Sequence, residues 1–219
     1  MNGFFITGTD TEIGKTAITA GLTAKLQQAG HRVAPIKSLA AGVEADGLNE
    51  DVTRLLQAQT LGLTADEICP LVLRTPCAPH IAARIDGRPI EREPLLAAIR
   101  ATAAKADIAL VEGVGGFRVP LIPGWDTADL AADLQLPVIL VVGLRLGCIS
   151  HALLTAEAIR ARGLTLAGWV ANTVDPAMPH LTDNLDALQA GLQAPCLGHV
   201  PRLSDPSAAA VAAHLSIPQ

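Results

Sequence analysis

Tyrosine is absent from this chain, and three phenylalanines and two tryptophans bring the aromatic fraction to only 2%. A core must then be built from Ala, Val, Leu and Ile within the 50% of residues that are hydrophobic. That composition suits helices packed on a parallel sheet, whose strands, buried on both faces, read as continuous aliphatic runs. Cysteine is sparse: Cys69, Cys77, Cys148 and Cys196 stand far apart, with no Cys-x-x-Cys pair. This spacing argues against a metal cluster and reads as free thiols in a reducing compartment. A basic surplus is lacking too. The formal charge is −5, so a nucleic-acid partner, which calls for a basic patch, is not expected. Small anionic ligands remain open, because a helix N-terminus and a few placed lysines hold phosphate even in an acidic protein. No apolar run reaches the length of a membrane span, so no membrane partner is expected. Gly3-Phe4-Phe5-Ile6-Thr7 already reads as a strand; no leader is expected ahead of it, and the expected location is cytoplasmic.

What the 219 residues do contain is an alternation of strands and helices. Aliphatic runs predict strands over residues 4–7, 32–36, 108–111, 137–142, 166–171 and 196–200. Helices are expected over 15–29, 51–60, 95–104, 151–162 and 181–190. Gly30 stands where the first helix should stop. A polar turn over 44–47 leads to the second helix. The stretch 69–89, with Pro70, Pro76, Pro79 and Pro89, is expected to be a long binding connection. There is no internal repeat, low-complexity tract or interdomain linker. The whole chain, 1–219, reads as a single α/β domain with a doubly wound, mostly parallel sheet.

Between the first strand and first helix lies Gly8-Thr9-Asp10-Thr11-Glu12-Ile13-Gly14-Lys15-Thr16. Its context is that of a phosphate-binding loop of the P-loop NTPase type. Backbone N–H groups of such a loop point at phosphate oxygens, and the helix dipole adds to them. Lys15 then reaches the β- and γ-phosphates, and the Thr16 hydroxyl is a ligand for Mg²⁺. Five residues separate Gly8 from Gly14, one more than the usual spacing, and Thr9 fills the usual glycine position.

The loop needs a carboxylate to complete a metal shell. Glu112 follows four aliphatic residues, Ile108-Ala109-Leu110-Val111, and precedes Gly113, Gly115 and Gly116. Ligands of α/β proteins bind at the carboxyl ends of such strands, and the glycines let backbone approach them closely. Lys37 likewise ends the second strand and should face the same crevice as Lys15. Two cations converging on one anionic centre suit a phosphoryl-transfer transition state.

Taken together, these segments resemble the dethiobiotin synthetases, which close a ureido ring using ATP and CO2. The loop resembles that family's variant phosphate loop, extra residue included. Further matches are Val111-Glu112-Gly113-Val114-Gly115-Gly116, Leu146-Gly147-Cys148-Ile149 and Ala167-Gly168-Trp169-Val170-Ala171-Asn172, with Pro79-His80 and Gly87-Arg88-Pro89-Ile90 less distinctive. The resemblance runs from Met1 to about Arg202.

The resemblance implies ATP and Mg²⁺ as cofactors, with 7,8-diaminononanoate and CO2 (or bicarbonate) as substrates. It implies Glu12, Ile13, Gly14, Lys15, Thr16 and Ala17 around the nucleotide phosphates, and Thr16, Asp51 and Glu112 around the metal. Thr11, Lys15 and Lys37 would line the reacting carbamate and γ-phosphate, with Ala41, Gly115 and Gly116 beside the substrate. Asn172 would read the adenine edge, next to Pro201. Gly147, Cys148, Ile149 and Ser150 would hold the substrate carboxylate from across a homodimer interface. The family pattern Lys-Pro-x-x-Ser-Gly is here Lys37-Ser38-Leu39-Ala40-Ala41-Gly42, so the hydroxyl expected at Ala41 is missing. Ala78 likewise replaces a common Ser, and Ser150 a common Asn. Two rivals share the loop. Corrin-ring amidating synthetases normally carry a further glutaminase domain. Partitioning or septum-placement switch ATPases usually have a second lysine near the loop's start, where this chain has Thr9, Asp10 and Thr11.

Overall fold

The computed structural model describes residues 1–44 and 47–218. The chain opens with β1 (Gly3–Gly8), α1 (Lys15–Gln28), β2 (Val33–Lys37), β3 (Ala40–Ala41), α2 (Glu50–Ala58), α3 (Ala65–Ile68) and β4 (Val72–Leu73). It continues through α4 (Pro79–Asp86), α5 (Arg92–Ala103), β5 (Ile108–Glu112), β6 (Pro120–Ile122), β7 (Trp125–Asp126) and α6 (Thr127–Leu134). The last third holds β8 (Val138–Leu144), α7 (Cys148–Ala161), β9 (Leu166–Thr173), α8 (Leu181–Leu192), β10 (Cys196–Val200) and α9 (Ala208–Ala212).

Six strands form one parallel sheet in the order β10-β9-β8-β1-β5-β2. From β1 the chain winds to one side for β2 and β5, then to the other for β8, β9 and β10. The carboxyl ends beside β1 therefore open a crevice at the switch of direction. Pro35 lies within β2, which is tolerated because β2 is an edge strand and the missing donor breaks no inner ladder. Alternate residues of the central strands enter two separate cores. Phe5, Ala109, Val111 and Leu140 pack on one side with α5, α6 and α7. Ile6, Leu110, Ile139 and Val141 pack on the other with Ile18, Leu22 and Leu26 of α1. Helices thus cover both faces, as a doubly wound sheet requires.

Several expected boundaries move. The connection over 69–89 is not loop throughout: it holds β4, which pairs with β3, and α4. Pro79 is the first residue of α4, where its missing N–H costs nothing, and Gly87 closes the helix at φ 62°. The helix expected from residue 151 starts at Cys148, because Gly147 at φ 93° turns the chain straight into it. α2 ends at Ala58, not at residue 60. Neither the β6–β7 hairpin nor α6, α9 or the single-turn α3 was expected; all are short, and short elements carry little periodicity. α6 did leave a readable start, a reciprocal cap between Asp126 and Asp129. The turn expected over 44–47 includes Ala45 and Asp46, which lie outside the described residues.

Candidate active site

The turn from β1 into α1 is shaped by two left-handed residues, Glu12 at φ 55° and Gly14 at φ 84°. A side chain at position 14 would be strained at that φ and would overlap the Asn172 amide. Asn172, near the end of β9, donates its Nδ2–H to the Ile13 carbonyl at 2.8 Å. Asp10 pairs with Arg145 from the segment after β8, and its Oδ1 accepts from the Thr11 N–H at 2.8 Å. Lys15 Nζ donates to the Asp10 carbonyl at 2.7 Å. Partners from β9 and from the segment after β8 therefore hold the loop in shape. Burial, with repulsion from Lys37 second, lowers the Lys15 pKa to about 8.

Below the loop, polar side chains meet in an otherwise aliphatic interior. Glu112, wholly buried at the end of β5, accepts the Thr16 hydroxyl at 2.7 Å and the Lys37 ammonium at 2.6 Å, both on Oε1. Lys37 Nζ also donates to Asp51 Oδ2 at 2.6 Å. Burial by itself pulls the Lys37 pKa down, yet Glu112 and Asp51 more than offset it and hold the amine above the ordinary lysine value. Burial works most strongly against the Asp51 carboxylate, but the Lys37 charge and hydrogen bond, with Thr16 and Lys15 adding to them, together outweigh it and lower the Asp51 pKa. Asp51 does not cap its helix. Asn49 does so, accepting from the Val52 N–H at 3.2 Å while its Nδ2 ties Gly42 to the start of α2 at 2.8 Å. Asp51 is thereby free to face the cleft.

A hard divalent cation fits this donor set. Two carboxylates and a hydroxyl are oxygen ligands, and Glu112 Oε2 is buried with no hydrogen-bond partner among the described residues. Those residues contain no cluster of three His, Cys, Asp or Glu side chains suited to a metal. The set here instead combines one Thr with two acids, leaving room for phosphate oxygens, which is how Mg²⁺ is commonly held.

These groups open onto one cavity of about 570 Å³. Of the residues singled out in the sequence, Thr11, Glu12, Gly14, Lys15, Thr16, Ala17, Lys37, Ala41, Asp51, Gly115, Asn172 and Pro201 line it. Ile13 and Glu112 lie just beneath, fully or almost fully buried. Gly116 is not on the lining, and Gly147, Cys148, Ile149 and Ser150 are not either. The cavity wall also uses Asn49, Arg54, Thr173 and Leu203, which the sequence reading missed. Arg54 follows Asp51 by one helical turn and faces the same way, a spacing that was available to find it.

A parallel sheet with a Gly-Lys-Thr loop at its switch point defines a P-loop nucleotide-dependent protein. A family model described as an AAA domain matches residues 2–210. The fold also resembles a ParA family ATPase from Chlorobium tepidum TLS, with a TM-score of 0.54 at 14% identity, over 99% of this chain and 92% of that one. A septum site-determining protein, MinD, complexed with Mg-ADP from Pyrococcus horikoshii OT3 gives 0.54 at 18% identity, over 94% and 83%. Sequence relatives are closer. The ATP-dependent dethiobiotin synthetase of Aromatoleum aromaticum is 51% identical, covering 98% of this chain and 97% of its own. Those of Ralstonia nicotianae, at 51% over 97% and 94%, and Pseudomonas aeruginosa PAO1, at 52% over 99% and 97%, agree with it. The chain belongs to the ATP-dependent dethiobiotin synthetase family. It is an ATP-using ligase of biotin synthesis.

Proposed function

We propose that the chain, working as one catalytic domain, makes dethiobiotin from 7,8-diaminononanoate, CO2 and ATP, releasing ADP and phosphate. The observation that carries this reading is the convergence of Lys15, Lys37, Thr16, Asp51 and Glu112 on one cleft. A carbamate forms from CO2 and one amine of the diamine, losing a proton. One of its oxygens attacks the γ-phosphorus of ATP, ADP leaves, and a mixed carbamic-phosphoric anhydride results. The neighbouring amine then attacks the carbonyl carbon, closing the ring and expelling phosphate. Every intermediate is anionic and open to hydrolysis, so cations and a sheltered cleft do the work and no protein nucleophile is required.

Each residue has a part in this. Lys15 turns from the Asp10 carbonyl to the β- and γ-phosphates, and Thr11 flanks the reacting oxygens. Lys37 meets the carbamate and the transferring phosphoryl group. Mg²⁺ would be held by Thr16, Asp51 and Glu112 and would neutralise phosphate charge. The Asn172 amide oxygen reads the adenine edge while its N–H groups hold the loop, with Pro201 against the base. Ala41, Gly115 and Gly116 lie along the diamine. The segment Gly147–Ser150 reaches the substrate carboxylate of a partner copy in a homodimer, consistent with its absence from its own chain's cavity. No helix among the described residues is long and apolar enough to cross a membrane, and a cytoplasmic location follows from the substrates.

The test is ATP consumption with and without 7,8-diaminononanoate and bicarbonate. Turnover should require both and yield dethiobiotin. Hydrolysis that ignores the diamine and gives no dethiobiotin would return the chain to the switch ATPases whose fold it shares.

A further inference from the structure

Lys37 occupies an unusual place for a group assigned to a reacting centre. Its ammonium lies 2.6 Å from Asp51 Oδ2 and 2.6 Å from Glu112 Oε1, and that same Glu112 oxygen takes the Thr16 hydroxyl at 2.7 Å. The three side chains assigned above to the divalent cation are thus already drawn together around a positive charge. Lys37 and Glu112 are both buried, so the carboxylate cannot rely on water and needs a cationic partner. That partner is Lys37. A divalent ion contacting the same oxygens would stand within bonding distance of the ammonium, where like charges away from bulk water repel strongly.

Resting on the metal assignment proposed above, we infer that Lys37 is a built-in stand-in for the cation. It keeps Asp51 and Glu112 aligned, and arrival of the divalent ion displaces it into the cleft. Its four-carbon stem allows such a swing while the backbone stays in β2. The displacement also sets an order of events. The Lys37 charge becomes available to a carbamate only after the metal nucleotide is seated, so a carbamate arriving first meets an amine that is already engaged.

Mn²⁺ is a suitable probe, with free ion counted by electron paramagnetic resonance on the full chain at fixed ADP. Lys37→Met should bind Mn²⁺ at least about tenfold more tightly than the parent chain, because a competing charge has gone. Glu112→Gln should lose binding. In the parent chain with ADP, acetylation of Lys37 by acetic anhydride, read by peptide mass spectrometry, should rise on adding Mn²⁺; in Glu112→Gln it should not. Should Lys37→Met fail to fold, the acetylation measurement decides alone. Equal or weaker Mn²⁺ binding by Lys37→Met, or Lys37 acetylation indifferent to Mn²⁺ where Glu112→Gln abolishes metal binding, overturns the stand-in and leaves the metal site intact. Mn²⁺ binding indifferent to Glu112→Gln would instead overturn the metal assignment, and the stand-in with it.

Discussion

Lys15 and Lys37 differ in the partners that hold their ammonium groups. Lys15 rests on a backbone carbonyl, with its pKa drawn down to about 8, whereas Lys37 is clasped by two carboxylates. Lys15→Ala should therefore weaken ATP binding and abolish turnover. Lys37→Ala should lower turnover by roughly 10²–10³-fold with no loss of ATP affinity, since it removes a donor used in the transition state. Calorimetric ATP titration separates the two, and an equal loss of ATP affinity in both variants would remove Lys37 from the reacting centre. Ser38 stands where the family pattern has proline, and its N–H donates to the Glu112 carbonyl at 2.8 Å. Proline could not make that bond. Its hydroxyl, by contrast, is buried with no partner among the described residues. Ser38→Ala should then be neutral or raise stability by up to about 1 kcal/mol, while Ser38→Pro should lower it; urea midpoints read both.

Helix α1 works as the hinge between loop and core. Its hydroxyls turn inward, Thr19 Oγ1 to the Lys15 carbonyl at 3.0 Å and Thr23 Oγ1 to the Thr19 carbonyl at 2.8 Å, so its buried threonines keep partners, while Gln27 Nε2 is buried with none among the described residues. Gly21 has a different task. A side chain there would overlap Val211 of α9 and crowd Leu215, and Val211 also lines the nucleotide cavity. Gly21→Leu should push α9 off α1, costing about 1–3 kcal/mol of stability by overpacking. Because α9 borders the cavity, ATP affinity should fall in parallel. An unchanged melting temperature would show that α9 docks some other way.

Function on the proposed reading needs two copies. Leu146 is 92% exposed, and Leu153 and Leu154 of α7 are also open to solvent, next to the segment proposed to hold the substrate carboxylate. Such apolar exposure around an incomplete site suits a covered interface. A Lys15→Ala chain mixed with a Ser150→Pro chain should regain part of the activity, each supplying the half the other lacks. Proline at the third position of α7 removes one N–H without breaking the helix, because first-turn donors are free in any case. Exchanging dimers that recover no turnover in any mixture would mean that each copy carries its own complete site.

The phosphate loop, the aliphatic strands and the strand-end Lys37 and Glu112 were legible in the sequence because they are local: spacing and alternation set them. So was the doubly wound sheet, since only buried parallel strands tolerate such runs. The short elements β3, β4 and α9 were not, for their residues are held by partners distant in sequence, and α3 and α6 left only their local caps. The same limit applies to the site. Nothing in the order of residues says that Asn172 will grip Ile13 or that Arg145 will pair with Asp10. Nor does it say that Lys37, Asp51, Thr16 and Glu112 will share one set of oxygens. These groups lie up to 96 residues apart, and only the parallel register, which sets Lys37 beside Glu112, brings them within reach. Sequence determined which charges the site would have; packing in a dry interior decided which of them neutralise each other.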